Sequence, residues 1–415
     1  MSRSSLWTDF DCSDEEKTRV YFERSKSSPI DLSLDISDGI SSLDPFFQII
    51  PDATGRLKSL YIDGPSEDLE VATSHLSHPA PLLHHLSIRL GSEDEPDRYP
   101  ALPSALFNGD LSSLRTLHLE SVHTELPWRN MVNLTSFTLS CIPPGAISVG
   151  QLLDFFESAP HLEKVELYSA TSTAGAHNGR VVSLACLKSM WIADNNPSSV
   201  LLDHLLIPVG AKLEMQVDLV SSVIGGHLPR FIDNLKNLSD FTTIQLYPGK
   251  LDPRMKFSGP NGQVGMTLRT PRGDTTDIAL GALAELDTSK TEQLEICAGH
   301  PPTRNLLYQA LLPMKDLRTL TLSGCAKPEI FIRALQPVNS SSEVMVCPKL
   351  EELVLVLHPH KWISHIAIVI EMAAARASGG EKLGTLRIVG ERDTANVDVS
   401  ELRKHVWNVE YCPKI

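Results

Sequence analysis

The sequence predicts an α/β fold in the form of a curved solenoid: a mostly parallel sheet of short stacked strands, with short helices on its outer side. Three observations lead there. One leucine phrase returns along nearly the whole chain, its copies lie about 27 residues apart, and segments with helix-capping signals fill the intervals. At 415 residues the chain is longer than a single core usually grows, so it either splits into domains or stacks a repeating unit.

The phrase consists of an apolar residue, two variable residues, a second apolar residue, a variable residue and a third apolar residue. It is clear at Leu57/Leu60/Ile62, Leu83/Leu86/Ile88, Leu114/Leu117/Leu119, Leu134/Phe137/Leu139 and Leu162/Val165/Leu167. It returns at Leu187/Met190/Ile192, Leu317/Leu320/Leu322, Leu350/Leu353/Leu355 and Leu383/Leu386/Ile388. Between residues 192 and 317 it blurs, although apolar alternation persists at Leu213-Met215-Val217, Ile244-Leu246, Met266-Leu268 and Leu294-Ile296.

Residues two apart in a strand share a side, so the last two apolar members face one core and the residue between them faces out. The first member packs the entering turn. One such strand cannot bury its apolar side alone, whereas a parallel stack builds a continuous core. At this period the array is leucine-rich-repeat-like. Repeats of that type often place Asn or Cys at the ninth position to satisfy backbone groups in the turn. Here Asn195 and Cys325 comply, while Pro65, Gly91, Val122, Ile142, Ala170, His358 and Glu391 do not, which predicts irregular turns.

The return limbs read as short helices. Residues 148–158 offer an N-cap serine, apolar Leu152, Leu153, Phe155 and Phe156, and a stop at Ala159-Pro160. Further helices are expected near residues 66–76, 229–235, 304–312, 329–335 and 363–375. Asn261-Gly262 is a hairpin signal that interrupts the repetition. The expected organisation is an N-terminal capping segment over residues 1–40, the repeat array over 41–400 and a C-terminal cap over 401–415.

Composition narrows function. Charged residues make up 21% and hydrophobic residues 42%, an ordinary folded composition. The net charge is −14 with Lys and Arg scattered, which disfavours nucleic acid as a partner. The seven cysteines form no CxxC pair, so a reducing compartment is expected, cytoplasmic or nuclear, with most thiols buried as small apolar groups. The N-terminus turns acidic before an apolar stretch develops and therefore lacks the pattern of a secretory signal. The most apolar stretch, 363–375, is too short to span a bilayer and carries His365 and Glu371, so no membrane role is expected. Without export, the N-x-[ST] sites at Asn133, Asn237 and Asn339 are not expected to be glycosylated.

No constellation argues for catalysis, a cofactor or a metal. His358-x-His360 with His365 lacks a ligand-spaced Cys or carboxylate, although a metal enzyme using this region is the reading from another class. His84 and His85 are adjacent and face opposite sides of a strand. The glycines of the 259–265 stretch are mis-spaced for a phosphate loop. Asp14-Glu15-Glu16 and Glu351-Glu352 read as solvated surface. What remains is the outward residue of each clear phrase: Tyr61, Ser87, His118, Thr138, Glu166, Trp191, Thr321, Val354 and Arg387. Parallel stacking should align these on the concave face, where Trp191 and Tyr61 are the natural anchors for a protein partner.

Several stretches carry a family likeness. Ser4-Ser5-Leu6-Trp7-Thr8-Asp9-Phe10 resembles the phrase that closes an F-box, and Ser28-Pro29-Ile30-Asp31-Leu32-Ser33-Leu34 resembles the strand that follows it. The run Glu371 to Arg376, the segment Leu383 to Val389 and the ending Glu401 to Tyr411 resemble the last helix, last strand and terminus. Together they resemble the fungal F-box-like leucine-rich-repeat proteins of mushroom-forming species over nearly the whole chain. The resemblance implies the substrate-recognition part of a ubiquitin ligase and no enzyme activity in the chain itself. Only an F-box tail is legible in residues 1–40, so a Skp-type adaptor follows as a partner only if an F-box lies upstream. The alternative is a stand-alone repeat scaffold, or a decayed paralogue, without a ligase link.

Overall fold

A computed structural model of the chain describes residues 4–12, 14–36, 44–90, 99–103, 106–124, 131–143, 146–170, 179–194, 199–218, 240–247, 253–269, 275–297, 301–325, 327–336, 345–356, 362–390 and 399–413. The described residues fall into two compact units, one running to Ala211 and the other from Lys212, a division inside the stretch read as one array. Each carries a mostly parallel sheet, and the fold is mixed α/β with ten α-helices among the described residues.

The first unit runs β1 (Asp9–Asp11), α1 (Glu15–Ser25), β2 (Ile30–Asp35), α2 (Asp44–Ala53), β3 (Leu57–Gly64), α3 (Ser66–Ser74), β4 (His85–Leu90) and β5 (Thr116–Glu120). It continues with β6 (Ser136–Ser140), α4 (Val149–Ser158), β7 (Lys164–Tyr168), β8 (Val182–Ser183), β9 (Ser189–Asp194), α5 (Ser199–Leu202) and β10 (Leu205–Leu206). Strands β1 to β7 and β9 pair in chain order, every pair parallel. Strands β8 and β10 form a separate short parallel pair.

The predicted anchors form one buried row: Leu60, Leu86, Leu117, Phe137, Val165 and Met190 are register partners on successive strands. Helix α4 closes over them, with the Phe155 ring 4.2 Å from that of Phe137. Its start is set by a capping box, in which Ser148 Oγ accepts from the Gln151 N–H and the Gln151 side chain accepts from the Ser148 N–H.

Several rungs enter and leave their strands in the same way. On entry, the N–H of the first phrase leucine donates three residues back to a buried residue: Leu83 to Ala80, Leu114 to Leu111, Leu134 to Met131, Leu162 to Ala159 and Leu187 to Leu184. On exit, Ser121, Cys141, Ser169 and Gly324 adopt left-handed φ of 54°, 53°, 47° and 61°. The residue after each, Val122, Ile142, Ala170 or Cys325, is buried. At these four exits the turns are alike, whereas Gly64 before Pro65 does not take the left-handed φ, and Gly91, Asn195, His358 and Glu391 lie outside the described residues. The ninth position here packs an apolar side chain, and the exit residue's N–H bonds to the next rung, as from Cys141 to the Tyr168 carbonyl at 2.8 Å.

The second unit runs β11 (Lys212–Asp218), β12 (Thr243–Tyr247), β13 (Arg254–Gly259), β14 (Gly262–Arg269), α6 (Thr275–Glu285), β15 (Gln293–Cys297) and α7 (Arg304–Leu311). It ends with β16 (Thr319–Ser323), α8 (Pro328–Ala334), β17 (Glu352–Val356), α9 (Trp362–Ser378), β18 (Leu383–Gly390), α10 (Leu402–His405) and β19 (Val406–Pro413). Its spatial order is β11, β14, β13, β12, then β15 to β19, antiparallel only where β13 meets β14 and β12. The intruding hairpin is present, but its corner is Pro260-Asn261, one residue before the expected pair. Proline presets φ for the first corner position, and Gly262 takes the positive φ of 119° that follows the corner.

The helices expected near 66–76, 148–158, 304–312, 329–335 and 363–375 appear as α3, α4, α7, α8 and α9, while 229–235 lies outside the described residues. Asp14 turns out to be more than solvated surface: it caps α1, accepting from the Lys17 N–H at 2.8 Å. None of the seven cysteines is in a disulfide, yet only Cys12, Cys325 and Cys347 are buried. Cys141 and Cys186 are exposed because they sit in the turns that join rungs. Burial pushes the Cys12 and Cys347 thiols up to about 12, so both are inert apolar packing. Among the described residues no helix is long and apolar enough to cross a membrane.

Candidate binding face

The outward row of the first unit is in strict register. Ser33, Tyr61, Ser87, His118, Thr138, Glu166 and Trp191 face one another across β2 to β7 and β9. In the second unit Glu295, Thr321, Val354, Arg387 and Glu410 align in the same way across β15 to β19. The nine outward residues of the clear phrases thus lie on two rows, six on one and three on the other.

Their exposure is uneven. Tyr61 is 47% exposed, whereas Ser87 and Val354 are only 8% and 9% exposed and offer little surface. The register that makes the row also shields them, since Ser87 lies between Tyr61 and His118 and Val354 between Thr321 and Arg387. Trp191 is half-buried, its ring centred 5.7 Å from that of Tyr168, and its indole N–H is buried without a hydrogen-bond partner among the described residues.

The polar members are tied to their neighbours. His118 places Nδ1 3.5 Å from Ser87 Oγ and Nε2 3.6 Å from Glu120, which also accepts from Arg89 at 2.8 Å. Burial holds the His118 imidazole below its ordinary pKa and outweighs the opposing pull of Glu120. Thr138 donates to Glu166 at 3.1 Å, and Lys164 pairs with the same carboxylate at 2.8 Å. In the second unit Arg387 bridges Glu352 at 3.1 Å and Glu410 at 3.0 Å, an arrangement that raises the guanidinium pKa and lowers that of Glu410. These groups are braced across strands, whereas Tyr61 is an outward aromatic side chain that stays open to solvent.

Sequence reasoning missed a second row, at the residue after the first leucine of each phrase. Its carbonyl accepts from two successive N–H groups of the next rung, as when Arg115 and Thr116 both donate to His84 and Thr135 and Ser136 both donate to Arg115. In the first unit the row reads Lys58, His84, Arg115, Thr135, Glu163 and Lys188. The repeat phrase itself was the available signal, because it fixes this position as firmly as the outward one.

His358 and His360 lie outside the described residues, and His365 Nδ1 on α9 is 3.5 Å from Glu329. Among the described residues no three His, Cys, Asp or Glu side chains gather as a metal site. The 259–265 stretch is occupied by the hairpin corner. No protein family's sequence profile matches the chain, and no curated protein matches it.

Proposed function

We propose that the chain is a leucine-rich-repeat-like interaction module, a curved solenoid that holds a protein partner along its outward, concave rows and performs no catalysis itself. The observation that carries this reading is the aligned outward row with an exposed Tyr61 towards one end and the half-buried Trp191 at the other. Aromatic side chains at solvent-facing strand positions are frequent binding hot spots. In the light of the resemblance, the module serves as the substrate-recognition arm of an F-box-type ubiquitin ligase in the cytoplasm or nucleus.

Affinity capture tests the first half. Tyr61→Ala and Trp191→Ala are each expected to weaken retention of captured partners by about 30-fold, the equivalent of about 2 kcal/mol. Unchanged retention in both variants removes the row from the reading. Co-purification of an upstream-extended chain with a Skp-type adaptor tests the second half, and no association leaves the stand-alone scaffold.

A further inference from the structure

The leucine phrase places Lys58, His84 and Arg115 on three successive rungs in a chain whose net charge is −14, and of these Lys58 is paired with Asp31 at 3.6 Å. Next to these residues, across the strand-entry ends of β4 to β9, lies an open groove of about 480 Å³ whose walls include His84, Ser113, Arg115, Asn133, Thr135 and His161. The volume is in the range of ligand sites. Four strand spacings make it about 19 Å long, room for about six residues of extended chain.

Arg115 is singular when set beside its counterpart in the second unit. Arg318 occupies the same position of its phrase and pairs across the rung with Glu351 at 3.2 Å. The next rung from Arg115 carries Thr135 and the previous one His84, so its guanidinium makes no hydrogen bond or ion pair among the described residues. The acidic member of the wall, Glu163, is neutralised by Lys188 at 2.7 Å. Nearby, burial and then the charges of His84 and Lys58 hold the His85 imidazole below its ordinary pKa, with Asp31 opposing and Arg115 adding a smaller push in the same direction. The hydroxyls are already spent as donors, Ser113 to the Pro81 carbonyl at 2.6 Å and Thr135 to the Arg115 carbonyl at 3.1 Å. Asn133 Nδ2 donates to the Ser112 carbonyl at 2.7 Å. The permanently cationic donor left without a partner on this wall, among the described residues, is the Arg115 guanidinium, which selects an anion.

We propose that this groove binds an extended acidic segment of a protein partner, with the Arg115 guanidinium holding a side-chain carboxylate. The proposal rests on the interaction-module reading and names the chemistry of the partner. Fluorescence anisotropy with a labelled hexaglutamate peptide at low ionic strength tests it on the full chain. The wild-type protein is expected to bind hexaglutamate and not hexalysine, with Arg115→Glu weakening binding at least about tenfold and added salt acting in the same direction. Arg318→Glu, at the equivalent position of the other unit, is expected to stay within about twofold of wild type. Absence of hexaglutamate binding, an Arg115→Glu variant within that same margin, or an equal loss in Arg318→Glu overturns the proposal. Should it fall while Tyr61→Ala and Trp191→Ala still weaken partner capture, the module reading stands without it.

Discussion

In the first unit one parallel rung repeats from β3 to β9, whereas the second unit opens with β13 running against both of its neighbours before β15 to β19 resume the parallel order. The contrast shows what the leucine phrase encodes. It specifies an entry turn and a strand together: a buried residue, two loop residues, a leucine that closes the turn, then the alternation. A hairpin strand such as β14 is entered from a two-residue corner and has no use for the first leucine, so alternation survives at Met266 and Leu268 without the phrase. The second unit also shows that the double N–H contact is independent of leucine, since Glu292 and Gln293 both donate to the Thr242 carbonyl.

The most damaging change should strike the regular ladder. Phe137 is fully buried between Leu117 and Val165 and packs on Phe155, so Phe137→Ala is expected to cost about 3–5 kcal/mol in denaturant unfolding. Because each rung stabilises chiefly its neighbours, amide exchange should accelerate first in β5, β6 and β7. Acceleration confined to β12 to β15 would contradict the nearest-neighbour picture. A smaller effect is expected at the irregular site. A Cβ on Gly259 would lie 2.4 Å from the Asp240 carbonyl oxygen, a backbone contact that cannot rotate away. Gly259→Ala should therefore destabilise by about 1–3 kcal/mol, with the loss of protection centred on β13 and β14. A neutral result would mean that the hairpin is not held against that carbonyl.

The same contrast explains what was legible in the sequence. Parallel strands, their register and the outward rows followed from the phrase, because period-2 burial and stacking leave one arrangement. Helix α4 was legible from its cap. Helix α2 was missed although Phe46, Ile49, Ile50 and Ala53 keep helical spacing and are all buried, because Pro51 reads as a breaker. The basic row and its groove were missed for a different reason. The phrase already sets Thr135 after Arg115 and Glu351 after Arg318, but which neighbours actually pair, and the groove beside Arg115, emerge only from side-chain geometry. Shielding of Ser87 and Val354 likewise depends on the length of their neighbours and not on their own position.

The finest distinction concerns why the phrase blurs at β15, which is a parallel rung like the others. Its first position is Thr291, and three residues earlier stands Thr288, whose carbonyl closes the entry turn as Leu111 and Met131 do elsewhere. Both threonines are fully buried, and neither hydroxyl has a hydrogen-bond partner among the described residues. The rung therefore keeps the backbone geometry while carrying two polar atoms where its counterparts carry methyl groups. Thr291→Val preserves shape and removes one such hydroxyl, so it should stabilise the protein by about 1 kcal/mol. For a unit of this size that corresponds to a rise in melting temperature of about 2–4 °C in calorimetry. A fall instead would mean that the hydroxyl is satisfied by a buried water, and that this rung differs from the regular ladder in its hydration as well as its side chains.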